Sequence, residues 1–158
     1  MSNCTDCRIP APTLPPDSTR DYQIYKIAVK APPQERGPFY VLFVAHGGDI
    51  YGFAGTYFFV DGRLDHDNAY HEHLSNETPG SANHTSYEII ATIPAANMDR
   101  LKDLCRRVLP PRKQIHGGWE YCPWEPLYRS EDWVDDIITL GGRATILTPS
   151  SNYNMLER

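Results

Sequence analysis

The sequence predicts one α+β domain, an antiparallel sheet of about five strands packed against two helices. Three observations carry that expectation. Short runs rich in β-branched and aromatic residues recur between glycine- and proline-rich breaks as far as Ile93. Two later segments place apolar residues at helical spacing. A chain of 158 residues has the length of a single domain, enough to bury a core without staples.

The elements follow in order. Residues 1–20 carry Pro10, Pro12, Pro15 and Pro16 with little apolar periodicity, and read as an extended arm. Tyr22–Val29 reads as a first strand, and Ala31–Pro38, with three prolines, as a turn. Phe39–Ala45 is a continuous apolar run, the pattern of a strand covered on both faces. His46-Gly47-Gly48-Asp49 breaks it as a hairpin turn, and Gly55–Gly62 is a third strand. Arg63–Ser86 is polar and reads as a long loop, a place where function often resides. Tyr87–Ile93 is a fourth strand.

Two helices come next. Asn97 suits an N-cap, and Met98, Leu101, Leu104, Cys105 and Val108 share one helical face until Pro110-Pro111. Ser130 reads as the N-cap of the second helix, with Glu131 and Asp132 at its positive end. Trp133, Ile137 and Leu140 form its buried stripe, and Gly141-Gly142 its stop. Ala144–Leu147 adds a short last strand. Strands followed by helices make an antiparallel sheet with helices on one side. The domain therefore spans 21–149, with a tail at 150–158.

Composition narrows the partners. A net charge of −5 argues against nucleic acid, which needs a basic face. The run Arg106, Arg107, Arg112 and Lys113 reads as a solvated helix end. No stretch approaches the ~20 apolar residues of a membrane span, and the first twenty residues lack the pattern of a secretory signal. A cytoplasmic protein with free cysteines is expected.

Cys4-x-x-Cys7 has metal-ligand spacing but no second pair beside it, since Cys105 and Cys122 lie far apart. Asp65-His66-Asp67 and His71-Glu72-His73 are the densest set of ligand-type side chains, and read as a solvated acidic loop. Neither metal nor cofactor is expected. His46 at a strand end is a candidate acid–base residue. The stretch from His116 to Trp124 gathers two tryptophans, Tyr121, Glu120 and Cys122 directly before the Ser130 helix. It suits either the roof of a ligand pocket or a loop packed onto the sheet.

Three segments together resemble small fungal proteins of the permuted papain-like superfamily that includes the lecithin–retinol acyltransferases. Pro38-Phe39-Tyr40-Val41-Leu42 stands where that family tends to have Tyr-His-Trp-Ala-Leu. Gly55-Thr56-Tyr57-Phe58-Phe59-Val60-Asp61-Gly62 resembles a Gly-Thr-x-Tyr-His-Val-x-Gly strand. Arg129-Ser130-Glu131-Asp132-Trp133-Val134 resembles the Asn-Cys-Gln-x-Trp-Val opening of the nucleophile helix. The likeness spans about residues 22–148 and implies a permuted papain-like core. On this alignment Ser130 replaces the cysteine, and Phe39 and Phe59 replace histidines. A cysteine hydrolase needs a thiolate and its base, so that activity is not expected.

Two functions follow as expectations. The first is a repurposed enzyme of secondary metabolism, holding a small apolar molecule between Phe39, Phe59, Trp119, Trp124 and Trp133. There Ser130, His116, Glu120, Tyr40 and His46 would orient it or move protons in a cofactor-independent isomerisation, cyclisation or elimination. The second is a non-catalytic protein-interaction module, which predicts a filled core at Ser130 and an exposed apolar patch elsewhere. Hydrolysis through Ser130 with another base is a third.

Overall fold

The computed structural model describes residues 20–30, 39–47, 53–61 and 63–153. It is an α+β fold built on six antiparallel strands. In chain order these are β1 (Asp21–Val29), β2 (Phe39–Ala45), β3 (Gly55–Val60), β4 (Tyr70–Ser75) and β5 (His84–Pro94), with β8 (Thr148–Pro149) last. Between β5 and β8 come α1 (Met98–Arg107), a small hairpin of β6 (Ile115–His116) and β7 (Trp119–Glu120), and α2 (Ser130–Arg143). The spatial order of the sheet is β4-β3-β2-β1-β5-β8. The expected arm falls outside the described residues apart from Arg20, as do the 31–38 turn, most of the glycine turn after His46, and residues 154–158.

Alternation along the strands divides the sheet into two faces. Ile24, Leu42, Val44, Phe58 and Val60 pack with Leu101, Trp133 and Ile137 in the core under the helices. Ile27, Val41 and Phe43 pack with Tyr25, Phe39 and Phe59 in a second cluster. This explains why the β2 run is apolar throughout: its odd and even residues serve different clusters. A bulge pairs Ile24 with Ala91 and Tyr25 with Ile89, so Ile90 is an extra residue. Consecutive residues Ile90 and Ala91 are both buried as a result. β3 starts against β2 at a glycine because a Cβ at Gly55 would stand 2.3 Å from the Phe43 ring.

Several expectations are corrected. The long loop contains β4, whose residues pair along all of β3. Its polar composition reflects an edge position with an exposed middle. α2 continues through Gly141-Gly142 to Arg143, and Gly141 lies where an added Cβ would meet Leu147 at 2.7 Å. The buried stripe centres on Trp133, Val134, Ile137 and Ile138, leaving Leu140 on its shoulder, 40% exposed. The last strand is Thr148–Pro149, just beyond the expected segment. The chain stays attached beyond residue 149, for Tyr153 packs on the core and its hydroxyl donates to Asp135.

One cap position holds and the other moves by one residue. Asn97 occupies the N-cap position of α1, but its amide donates to the Ile146 carbonyl at 2.9 Å. Arg129 is the N-cap of α2, and its N–H donates to the Asp132 carboxylate at 2.8 Å. Ser130 is the first helical residue. No helix among the described residues is long and apolar enough to cross a membrane.

Candidate functional site

α2 starts over the end of the sheet where β2 begins, which brings Ser130 to Tyr40. The Tyr40 backbone N–H donates to the Ser130 hydroxyl at 3.1 Å, and Ser130 is 3% exposed. Beside them lies Lys26, which occupies a core-facing position of β1. Its ammonium reaches Glu131 at 2.7 Å and Asp135 at 3.1 Å, and lies 5.1 Å from the centre of the Tyr40 ring. Glu131 and Asp135 are four apart on α2 and so share a face. Burial works against the Lys26 charge, but the hydrogen bond to Glu131 and the field of Asp135 outweigh it and hold its pKa above the ordinary value. Burial, reinforced by Asp135, pushes the Tyr153 hydroxyl up.

An open cleft of about 260 Å³ lies over this group, lined by Lys26, Tyr40, Ser86, Tyr87, Glu88 and Glu131. Its chemistry is that of a satisfied ion cluster. A lysine held charged by two carboxylates is neither a base nor a nucleophile at neutral pH. The Ser130 hydroxyl accepts from a backbone amide and has no imidazole to take its proton.

The histidines are engaged elsewhere. His46 pairs with Thr56 at 2.9 Å, six residues beyond Tyr40 and so about 20 Å along the sheet. His116 contacts Lys113 at 3.0 Å on the small hairpin. His66 lies beside Asp65 at 2.9 Å, and His71 beside Asp61 at 2.7 Å. His71 and His73 pack against Phe59, their ring centroids 5.1 and 5.3 Å from its own. Among the described residues no three His, Cys, Asp or Glu side chains converge as a metal site.

The expected aromatic pocket is not assembled. Phe39 and Phe59 do meet, edge to face at 5.8 Å, but they belong to the cluster on the far side of the sheet from Ser130. The physical reason is the two-residue period of a strand: Tyr40 and Phe58 take the helix side, so their neighbours cannot. Trp133 is wholly buried, its indole N–H donating to the Val108 carbonyl at 3.3 Å. Trp119 and Trp124 are 81% and 77% exposed, and Glu120 is exposed with them. The hairpin therefore neither roofs a pocket nor packs its tryptophans on the sheet. Of the ten expected site residues, Ser130 and Tyr40 come together on the helix side of the sheet and Phe39 and Phe59 on the other, while Trp133 lies in the core.

That hairpin is firmly based. Gly117 and Gly118, at φ +56° and +85°, make the tight turn between β6 and β7. The Gln114 side chain clasps the Tyr128 backbone with two hydrogen bonds of 2.6 Å, and the N–H groups of Gln114 and Ile115 donate to the Leu64 carbonyl. On this base Trp119, Tyr121, Trp124 and nearby Leu109 stand exposed.

No family model, no curated protein and no solved structure matches the chain.

Proposed function

We propose that the chain is a non-catalytic protein-interaction module that presents the β6–β7 hairpin to its partner. One observation carries this reading: large aromatic side chains stand exposed on an ordered base, while the serine at the start of α2 is buried and accepts from a backbone amide. Tryptophan and tyrosine supply much of the binding energy at protein interfaces, and a rigid base lowers the entropy lost on docking. Residues 106–129 carry Arg106, Arg107, Arg112, Lys113 and Arg129 against Glu120 and Glu125, in a chain of net charge −5. The partner surface that fits is acidic around an apolar centre.

The resemblance to the permuted papain-like superfamily enters this proposal as an origin for the fold, with the site abandoned. The test compares two variants in association with a partner isolated on the intact protein. Trp119→Ser combined with Trp124→Ser is expected to abolish association while leaving the melting temperature unchanged, and Ser130→Ala to leave association intact. Turnover of a small molecule that Ser130→Ala or Tyr40→Phe eliminates would overturn the reading in favour of chemistry at the cleft.

A further inference from the structure

The sheet ends in two unlike edges. β4 carries His71, Glu72 and His73, and Arg106 reaches across from α1 to Glu72 at 3.2 Å. Charged side chains of this kind discourage another strand from pairing there. β5 is less guarded: between Thr85 and Ile89 its one charged side chain is Glu88. β8 pairs only with Ala91 and Thr92, and the Ser150 N–H takes the Ile90 carbonyl; beyond it the Tyr153 hydroxyl reaches Asp135, within the field of Glu88. From His84 to Ile89, no strand among the described residues pairs with the outer edge of β5. This stretch holds neither proline nor lysine, and its Tyr87 and Ile89 are 54% and 44% exposed.

We propose that this edge joins two copies of the chain, β5 pairing antiparallel with its counterpart about Tyr87. A two-fold axis perpendicular to the sheet keeps each face on its own side, so only positions of equal parity can pair. Centring on Glu88 would set two carboxylates opposite each other, which is unfavourable. Centring on Ser86 would leave Ile89 opposite Asn83, outside the strand. Centring on Tyr87 brings the two tyrosines together, Thr85 against Ile89, and Ser86 against Glu88 of the second copy. It also ends the new ladder at Ile89, just before the carbonyl that Ser150 already occupies. The edge is distinct from the hairpin, so both surfaces can be filled at once.

Sedimentation velocity of the full chain over a concentration series tests this. The intact protein is expected to dimerise reversibly and weakly, as suits a short strand pairing. Ser86→Lys would face Glu88 of the second copy and tighten the dimer, and Ser86→Glu would loosen it. Each change is roughly fivefold in Kd, because symmetry repeats the cross-strand pair. Trp119→Ser with Trp124→Ser is expected to leave the constant unchanged. A monomer at every concentration up to about 1 mM would overturn the proposal. So would a dimer on which both Ser86 variants act in the same direction, or one that is lost with the hairpin tryptophans.

Discussion

The three tryptophans of this chain divide between two regions that use the same side chain for opposite purposes. Trp133 lies on the underside of α2, wholly buried, its ring 5.9 Å from Tyr70 and its N–H taken by a carbonyl. Trp119 and Trp124 stand on or beside the hairpin with more than three quarters of their surface in water. The segments are joined directly, Trp124 being six residues before the helix begins. What separates them is the surface each backbone meets: α2 lies across the sheet, whereas the hairpin is tied to loops at its rim. The lesson is that aromatic richness near a helix start reports neither a pocket nor a core until the neighbouring backbone is placed.

The largest effect expected from this contrast is the loss of Trp133. Trp133→Ala removes a wholly buried indole and should destabilise the fold by about 3–5 kcal/mol in chemical denaturation. A loss below about 1 kcal/mol would mean that α2 does not hold the core together as described.

Next comes Lys26, a buried charged residue on the Trp133 side of the sheet. Lys26→Met leaves Glu131 and Asp135 facing each other without their cation. A fully buried pair broken in this way costs about 3–5 kcal/mol; Glu131 is half-exposed, so about 2 kcal/mol is expected. Restored stability in Lys26→Met combined with Glu131→Gln and Asp135→Asn would confirm that the stranded charges cause the loss.

A smaller effect belongs to acid. His84 is enclosed, its Nδ1 accepting from the Gly80 N–H at 3.1 Å and its Nε2 meeting the Tyr57 hydroxyl at 2.8 Å. A proton on Nδ1 would oppose the Gly80 N–H, and burial lowers the His84 pKa below its usual value. In the unfolded chain histidine takes its proton near pH 6.5. The unfolded state therefore binds more protons below about pH 6.5, and the stabilisation present above that pH is lost as pH falls through the lower folded value. Melting temperature should drop by a few degrees between about pH 7 and 5. His84→Gln should flatten that part of the profile; an unchanged slope would place its cause elsewhere.

The hairpin should give the smallest change. Trp119→Ser with Trp124→Ser is expected to alter stability by less than about 0.5 kcal/mol. The emission that remains, from Trp133, should be shifted to the blue and resist acrylamide quenching. Strong quenching would show that the buried indole is not enclosed.

Much of the framework was legible before the structure. β1, β2, β3 and both helices were set by patterns of apolar residues that the core then used, Leu101 and Cys105 on α1 among them. β4 escaped notice because an edge strand with an exposed middle has little apolar signature, and its histidines find their packing partner in Phe59 on another strand. The candidate site was less legible. The sequence offers Ser130 and Tyr40 as candidates, and they do lie together, but the cluster turns on Lys26, a lone charge inside an apolar strand pattern that reads simply as part of β1. Its partners Glu131 and Asp135 read as ordinary charges of a helix surface, and only the crossing of α2 over β1 joins them. Phe39 and Phe59 could line the pocket in only one register, and a one-residue slip turns both away, which is where the structure has them. Gly117-Gly118 between two short extended pairs was a hairpin signal in plain view.

The approach of Gly141 to Leu147 has a consequence for ancestry. A Cβ at position 141 would crowd the end of the Leu147 side chain, so a change at 141 requires that leucine to shift or shrink. In diverged copies of this fold, a side chain at 141 should accompany a smaller residue at 147, and a large residue at 147 should accompany glycine. Paired variation of that kind would mark descent where the rest of the sequence no longer does.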